Sequence, residues 1–211
     1  MKNYHISLIR HGRTDANDQG MYIGTTDFPL NDAGRNELYD KLDRFVYPRI
    51  ERVYTSPLLR CTESAEILFP NREIVIADEF QELHFGQFEG KRAEELIGDE
   101  AYRAWIKGGM DAKPPEGESV TELCLRTYRG FHRILLEMMQ EEMQHVALVT
   151  HAGVIANALA CFGLPKLDPK QIQTAAGEGF EIQINPQLWQ QAQAFEILGV
   201  IPFLPEEADT Y

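Results

Sequence analysis

No stretch of this 211-residue chain approaches the roughly 18 consecutive apolar residues that a membrane-spanning helix requires. Its first residues, MKNYHISLIR, hold no long apolar segment and no small-residue cleavage site, so a secretory signal is not expected. Cysteine is scarce. Cys61, Cys124 and Cys161 are odd in number, far apart and set in apolar helical patterns. That usage predicts reduced core thiols rather than a disulfide framework, and with them a cytoplasmic setting. Basic residues are in short supply too: 20 Lys and Arg face 33 Asp and Glu, giving a formal net charge of −13. The balance argues against a nucleic-acid backbone or an anionic membrane as the main partner. There is no internal repeat, no low-complexity tract, and no His-x-His or Cys-x-x-Cys spacing of the kind that marks a metal site. Neither a metal nor another cofactor is expected.

What remains is the composition of an ordinary globular protein, 44% hydrophobic and 25% charged. The length suits one domain with a well-buried core and is short for two, so residues 1–211 read as a single unit. Strand-like and helix-like segments alternate, which predicts a three-layer α/β/α sandwich around a mostly parallel sheet. Strands are expected at 5–10, 52–55, 73–77, 145–150, 180–184 and 194–198. The last two flank Asn185-Pro186 and read as a hairpin or meander at one sheet edge. Helices are expected at 35–45 and at 58–69, the second with Ser56 as N-cap before Pro57. Ser119-Val120-Thr121-Glu122 fits a capping box opening a long amphipathic helix, and another helix runs from about 154 to 161. Residues 89–117 form a helical, lid-like excursion ending in a Pro114-Pro115 loop, in which Trp105 either lines a substrate lid or simply packs. Residues 205–211 read as a solvated acidic tail. The edge near 180–198 and the apolar run Val200–Leu204 leave a homo-oligomer open.

Residues 5–17, HISLIRHGRTDAN, carry the sharpest chemical signal. An apolar strand stops at Arg10-His11-Gly12-Arg13, a cationic turn rich in hydrogen-bond donors. His11 there is a ligand, a base or a nucleophile. Two further strand ends offer complementary groups: Arg60 in the helix after 52–55, and His151 after 145–150. In open α/β sheets ligands bind beyond the carboxyl ends of the strands, where helix N-termini add N–H groups suited to phosphate. Singly, each residue has an ordinary explanation: a turn cap, a surface ion pair with Glu63 or Glu66, one more acid among many. The histidines His5, His132 and His145 belong to no motif.

Several blocks in fixed order change that assessment. Leu8 to Thr14 with Asn17, Gly24 to Gly34, Ser56 to Thr62 with Ala65, Glu82 to Gly90, and Thr150 to Gly153 resemble the histidine phosphatase superfamily, which includes the cofactor-dependent phosphoglycerate mutases. The resemblance covers about residues 6 to 185. It implies a phosphoglycerate mutase-like fold and a metal-independent attack on a small-molecule phosphate ester. His11 would be the nucleophile, forming a phosphohistidine, with Glu82 as general acid. Arg10, Arg60 and His151 would hold the phosphoryl oxygens, and Asn17, Thr14, Gly24 and the Ala152 backbone N–H would complete the cradle.

The resemblance spans mutases as well as phosphatases, and fold alone does not choose between them. Mutases resemble Arg-His-Gly-Glu-Ser-x-Trp-Asn, where this chain has Arg13, Thr14 and Ala16. They carry Glu-Arg-His-Tyr-Gly at the acid block, where this chain has Leu83 and Phe85. A cation and a hydroxyl that would recognise a phosphoglycerate carboxylate are therefore missing. The expectation is a phosphatase, with alpha-ribazole 5'-phosphate as leading substrate on the resemblance of Gly86–Gly90 and Pro114–Ser119 to alpha-ribazole phosphatases. A phosphoglycerate mutase and a non-catalytic phosphate-binding module are the alternatives.

Overall fold

Apolar side chains on both faces of a strand leave only one place for it, between two helical layers. Ile6, Leu8 and Ile9 meet that condition, and each is buried to 1% exposure or less. So do Val146, Ala147, Leu148 and Val149. The computed structural model, which describes residues 2–206, puts these two strands side by side at the centre of a seven-stranded sheet. The elements follow as β1 (Tyr4–Arg10), α1 (Asp15–Asp18), α2 (Asp32–Arg44), β2 (Arg52–Thr55), α3 (Leu59–Leu68), β3 (Ile74–Ile76), α4 (Ala93–Leu96), α5 (Glu100–Lys107), α6 (Val120–Gln140), β4 (His145–Thr150), α7 (Ala152–Phe162), β5 (Gly163–Leu164), β6 (Gly179–Ile184), α8 (Pro186–Ala192) and β7 (Phe195–Ile201).

The strand order is β3-β2-β4-β1-β6-β7-β5. Strands β3, β2, β4 and β1 run parallel, while β6 pairs antiparallel with both β1 and β7. One face packs Ile6, Leu8 and Leu148 against Leu123 and Phe131 of α6, Ile155 and Leu159 of α7, and Trp189 of α8. The other packs Ile9, Val53 and Val149 against Leu38 of α2 and Cys61, Ala65 and Leu68 of α3. Burial of each large aliphatic or aromatic side chain contributes about 1.5–3 kcal/mol, so the sandwich is held from both sides. Among the described residues no helix is long and apolar enough to cross a membrane.

Strands β6 and β7 pair antiparallel towards one sheet edge, as expected, but Asn185-Pro186 is not a tight turn between them. Asn185 instead caps α8 by accepting from the Gln187 and Leu188 N–H groups, with Pro186 at the first helical position. The helix carries Trp189 into the core, and that burial outweighs the turn signal. Ser56 is not the N-cap of α3, which starts three residues later behind Leu58. Its N–H continues the sheet by donating to Val149 O, which leaves its hydroxyl for the site described below. Much of the apolar run at 200–204 is used within the chain. Ile201 and Phe203 are buried, and Phe203 bridges to Val46. Val200 stays exposed. Of the expected acidic tail, residues 207–211 lie outside the described residues.

The excursion after Glu89 has a small core of its own. Phe88, Leu96 and Tyr102 pack together, with Tyr22, Phe85 and Trp105 against them. Trp105 thus makes packing contacts with four aromatic rings: Tyr22, Phe85, Phe88 and Tyr102.

Candidate active site

Register brings the two histidines together. Arg10 of β1 pairs with Thr150 of β4, so His11 and His151 are the next residues off adjacent parallel strands. The His11 N–H still donates to Thr150 O, and the two rings meet edge to face with centroids 5.1 Å apart. His11 is 5% exposed and His151 fully buried.

Hydrogen bonding settles the tautomer of each ring. His11 Nδ1 lies 2.6 Å from Gly12 O, an acceptor only, so Nδ1 carries the proton and Nε2 keeps its lone pair. Arg60 Nε donates to His151 Nδ1 at 3.3 Å, so the His151 proton sits on Nε2, which donates to Ser56 Oγ at 2.9 Å. One imidazole is left as a bare nucleophile and the other as a donor. Burial lowers the His11 pKa to about 3, assisted by the charge of Arg60 and then of Arg10, and only partly offset by the Gly12 bond. His151 is likewise held well below the ordinary histidine range, chiefly by burial. Burial therefore does more than either arginine to keep His11 uncharged.

The arginines are fixed by backbone carbonyls. Arg60, 1% exposed, donates from Nη1 to Thr26 O and from Nη2 to Gly24 O. Its guanidinium has five N–H groups, so one remains on each terminal nitrogen, in a forked arrangement that matches two phosphoryl oxygens. Arg10 is anchored by one bond from Nη1 to Thr174 O, while its buried Nε has no protein partner. Ser64 ties α3 to the nucleophile turn by accepting from Gly12 N and donating to Arg60 O.

Glu82 reaches the site from the segment after β3. Leu83 N donates to its Oε1 and Gly153 N, in the first turn of α7, donates to its Oε2. Burial raises the carboxyl pKa against the opposing pull of those two N–H groups and of Arg60 and Arg126. A Cβ on Gly153 would lie 2.4 Å from Glu82 Oε1, so only glycine lets the carboxylate approach the helix end. Glu82 also lines a cavity of about 380 Å³, together with Thr25, His84, Lys113 and Arg126.

The structure thus brings His11, Arg10, Arg60, Glu82, His151 and the Ala152 helix terminus to one point beyond the carboxyl ends of β1 and β4. Asn17 and Thr14 adjoin it in a capping box. Asn17 Oδ1 accepts from Thr14 N and Oγ1, while Thr14 Oγ1 accepts from Asn17 N. Both Thr14 polar groups are thereby engaged. Gly24 acts in support, since its carbonyl holds Arg60 and its N–H is taken by Glu89. A Cβ there would sit 1.9 Å from Leu83 O. Among the described residues no group of three or more His, Cys, Asp or Glu side chains could hold a metal ion.

The deciding comparison is with known families, and the sequence matches the histidine phosphatase superfamily (branch 1) over residues 6–194. The chain belongs to the histidine phosphatase superfamily. Within it, the adenosylcobalamin/alpha-ribazole phosphatase of Salmonella typhimurium is 28% identical over 157 residues, covering 72% of this chain and 76% of that one. The 2,3-bisphosphoglycerate-dependent phosphoglycerate mutase 2 of Gloeobacter violaceus is 25% identical over 176 residues, covering 80% and 78%. The crystal structure of the alpha-ribazole phosphatase from Shigella flexneri superposes with a TM-score of 0.78 at 24% identity, covering 93% of this chain and 95% of that one. These relatives place the chain among phosphatases and mutases, enzymes of phosphoryl transfer, and the superposition fixes the α/β fold.

Four residues outside the expected set hold this superfamily site in place: Ser56, Ser64, Arg126 and Glu89. Arg126 pairs with Glu118 and donates to the carbonyls of Glu79 and Glu82. The Glu89 carboxylate collects four donors, from Gly24 N, Thr25 N, Thr26 Oγ1 and Phe85 N. It therefore shapes the loop whose carbonyls grip Arg60. Glu89→Ala would strand three backbone N–H groups, at about 1–3 kcal/mol for each one that stays buried. We expect it to lower stability by about 2–4 kcal/mol and kcat/KM by roughly tenfold. Urea unfolding alongside steady-state kinetics checks this, and unchanged kcat/KM in a folded variant would remove Glu89 from the support of Arg60.

Proposed function

We propose that the protein is a metal-independent phosphatase that hydrolyses a small-molecule phosphomonoester through a phosphohistidine on His11. The observation that carries this reading is the deprotonated Nε2 of His11, set among Arg10, Arg60 and His151 with Glu82 close by. Nε2 attacks phosphorus while the ester P–O bond breaks, and Glu82 gives its proton to the departing alkoxide. Arg10 and Arg60 take up the charge on the phosphoryl oxygens, joined by Asn17, the Ala152 N–H and the His151 Nε2–H, which turns from Ser56 Oγ to the incoming phosphoryl group. The alcohol leaves by the cavity that Glu82 lines. Glu82, now a carboxylate, removes a proton from water as the water oxygen attacks phosphorus. The P–N bond breaks, inorganic phosphate departs, and both His11 and Glu82 are restored.

Leu83 and Phe85 support hydrolysis over mutase chemistry, because neither can pair with the carboxylate of a phosphoglycerate. Within phosphatases, alpha-ribazole 5'-phosphate is the substrate we favour, supported by the Gly86–Gly90 and Pro114–Ser119 segments and by the names of several relatives. A panel of phosphorylated metabolites tests both statements. The expected result is net phosphate release, with kcat/KM for alpha-ribazole 5'-phosphate above the rest by roughly tenfold, about 1.4 kcal/mol in transition-state binding. Rapid conversion of 3-phosphoglycerate to 2-phosphoglycerate with catalytic 2,3-bisphosphoglycerate and no phosphate release would establish a mutase instead.

A further inference from the structure

Two of the three cysteines, 37 positions apart in the chain, meet where α6 packs along α7. Cys124 lies near the start of α6 and Cys161 is the penultimate residue of α7. Their Sγ atoms are 2.9 Å apart, as free thiols in contact. Both side chains are half-buried, within reach of a small solute, whereas Cys61 is wholly buried and its thiol is pushed up by burial. No step of the phosphoryl transfer uses the pair.

We propose that Cys124 and Cys161 are a redox-active dithiol that a peroxide closes into a disulfide and a reducing dithiol reopens, stapling α6 to α7. The charge beside one thiol divides the roles. Either sulfur can donate in this contact, but with Cys124 donating and the Lys166 ammonium held at Cys161 O, 2.8 Å away, the Cys161 thiol is lowered. Cys161 is the attacking thiolate and Cys124 the resolving thiol. The Cys161 sulfur attacks one peroxide oxygen, the O–O bond breaks, and the departing hydroxide takes a proton to become water. Cys161 is left as a sulfenic acid. Cys124 loses its proton and its sulfur attacks Cys161, forming the S–S bond and expelling the sulfenic oxygen as a second water. Two thiols are oxidised by two electrons and one peroxide is reduced to two waters.

The placement gives the bond a consequence for the site. Glu82 is suspended between these same two helices. Gly153 of α7 holds its carboxylate, and Arg126 of α6, two residues beyond Cys124, holds its carbonyl. A bond between the helices fixes the spacing on which that suspension depends.

The test uses the full wild-type chain, treated with equimolar hydrogen peroxide at neutral pH, then denatured and exposed to an alkylating reagent so that the buried Cys61 is counted too. Intact mass should fall by two hydrogens, with one thiol left to alkylate, and peptide mapping should link Cys124 to Cys161. A dithiol should reverse the change, and the oxidised chain should melt higher by about 10 °C, as expected for a crosslink closing a loop of this length. Cys61→Ser should behave as wild type. Cys124→Ser should accumulate a sulfenic acid on Cys161 that a nucleophilic trap captures. Three thiols still alkylated after peroxide, links between chains, or stable oxygen adducts in the wild type would each overturn the dithiol. An unchanged melting point in a linked chain would overturn the staple.

Discussion

His11→Ala is expected to lower turnover by a factor on the order of 10⁵ or more, since no other group can form the covalent intermediate. Quenching the wild type during turnover of a chromogenic phosphate ester should trap acid-labile phosphate on the chain, and the variant should trap none. Turnover that survives the substitution undiminished would sink the phosphohistidine mechanism. The same substitution has a second effect, on stability. Folded His11 has a pKa of about 3, against roughly 6.5 when unfolded. Between those values the unfolded chain binds a proton that the folded chain refuses, so stability is lost as pH falls from about 6.5 toward 3. The full difference is on the order of 5 kcal/mol for this one group. Relative to wild type, His11→Ala should therefore lose less stability between neutral and acid pH. Urea unfolding at a series of pH values reads that change in slope.

Glu82→Gln is expected to cost about 10²–10⁴-fold with an alkyl phosphate, whose alkoxide must be protonated to leave. With a nitrophenyl phosphate, whose leaving group needs no proton, attack by His11 should survive. The second step should not, because glutamine cannot take a proton from water. The variant should then show a burst of nitrophenolate equal to the enzyme present, followed by slow turnover and accumulated phosphohistidine. Burial raises the Glu82 pKa, so the acid form persists above the usual carboxylate range and is lost as pH rises through that raised value. Wild-type kcat/KM with alkyl phosphates should fall on that alkaline limb, and the variant should lack it. Equal losses for both leaving groups, with no burst, would remove Glu82 from both proton transfers.

The catalytic set is readable in the sequence because its members follow strand patterns and carry unusual chemistry. His11 and His151 end apolar runs, and Arg60 sits one turn into a helix after a third. Their convergence follows from parallel register, which alternating strands and helices already imply. The supporting residues give no such signal. Ser56 reads as a helix cap because Ser-Pro is a common helix start, yet its hydroxyl orients His151. Glu89 and Arg126 act through backbone carbonyls and N–H groups, which have no side-chain identity to match across a gap in sequence. Asn185-Pro186 misleads for a related reason. It serves a turn and a helix start equally well, and only the burial of Trp189 decides between them.

The pairing of Arg10 with Thr150 also determines how this enzyme should fail. The His11 amide is held by the last rung between the two central strands, which are the elements least able to open by themselves. The nucleophile cannot drift from its cradle without parting β1 from β4, and that amounts to unfolding the sheet. Substitutions away from the site and its supporting residues that weaken the fold should therefore thin the population of working molecules while leaving each survivor at full rate. Loss of activity under denaturant should trace the loss of structure, with no inactive but folded form preceding it.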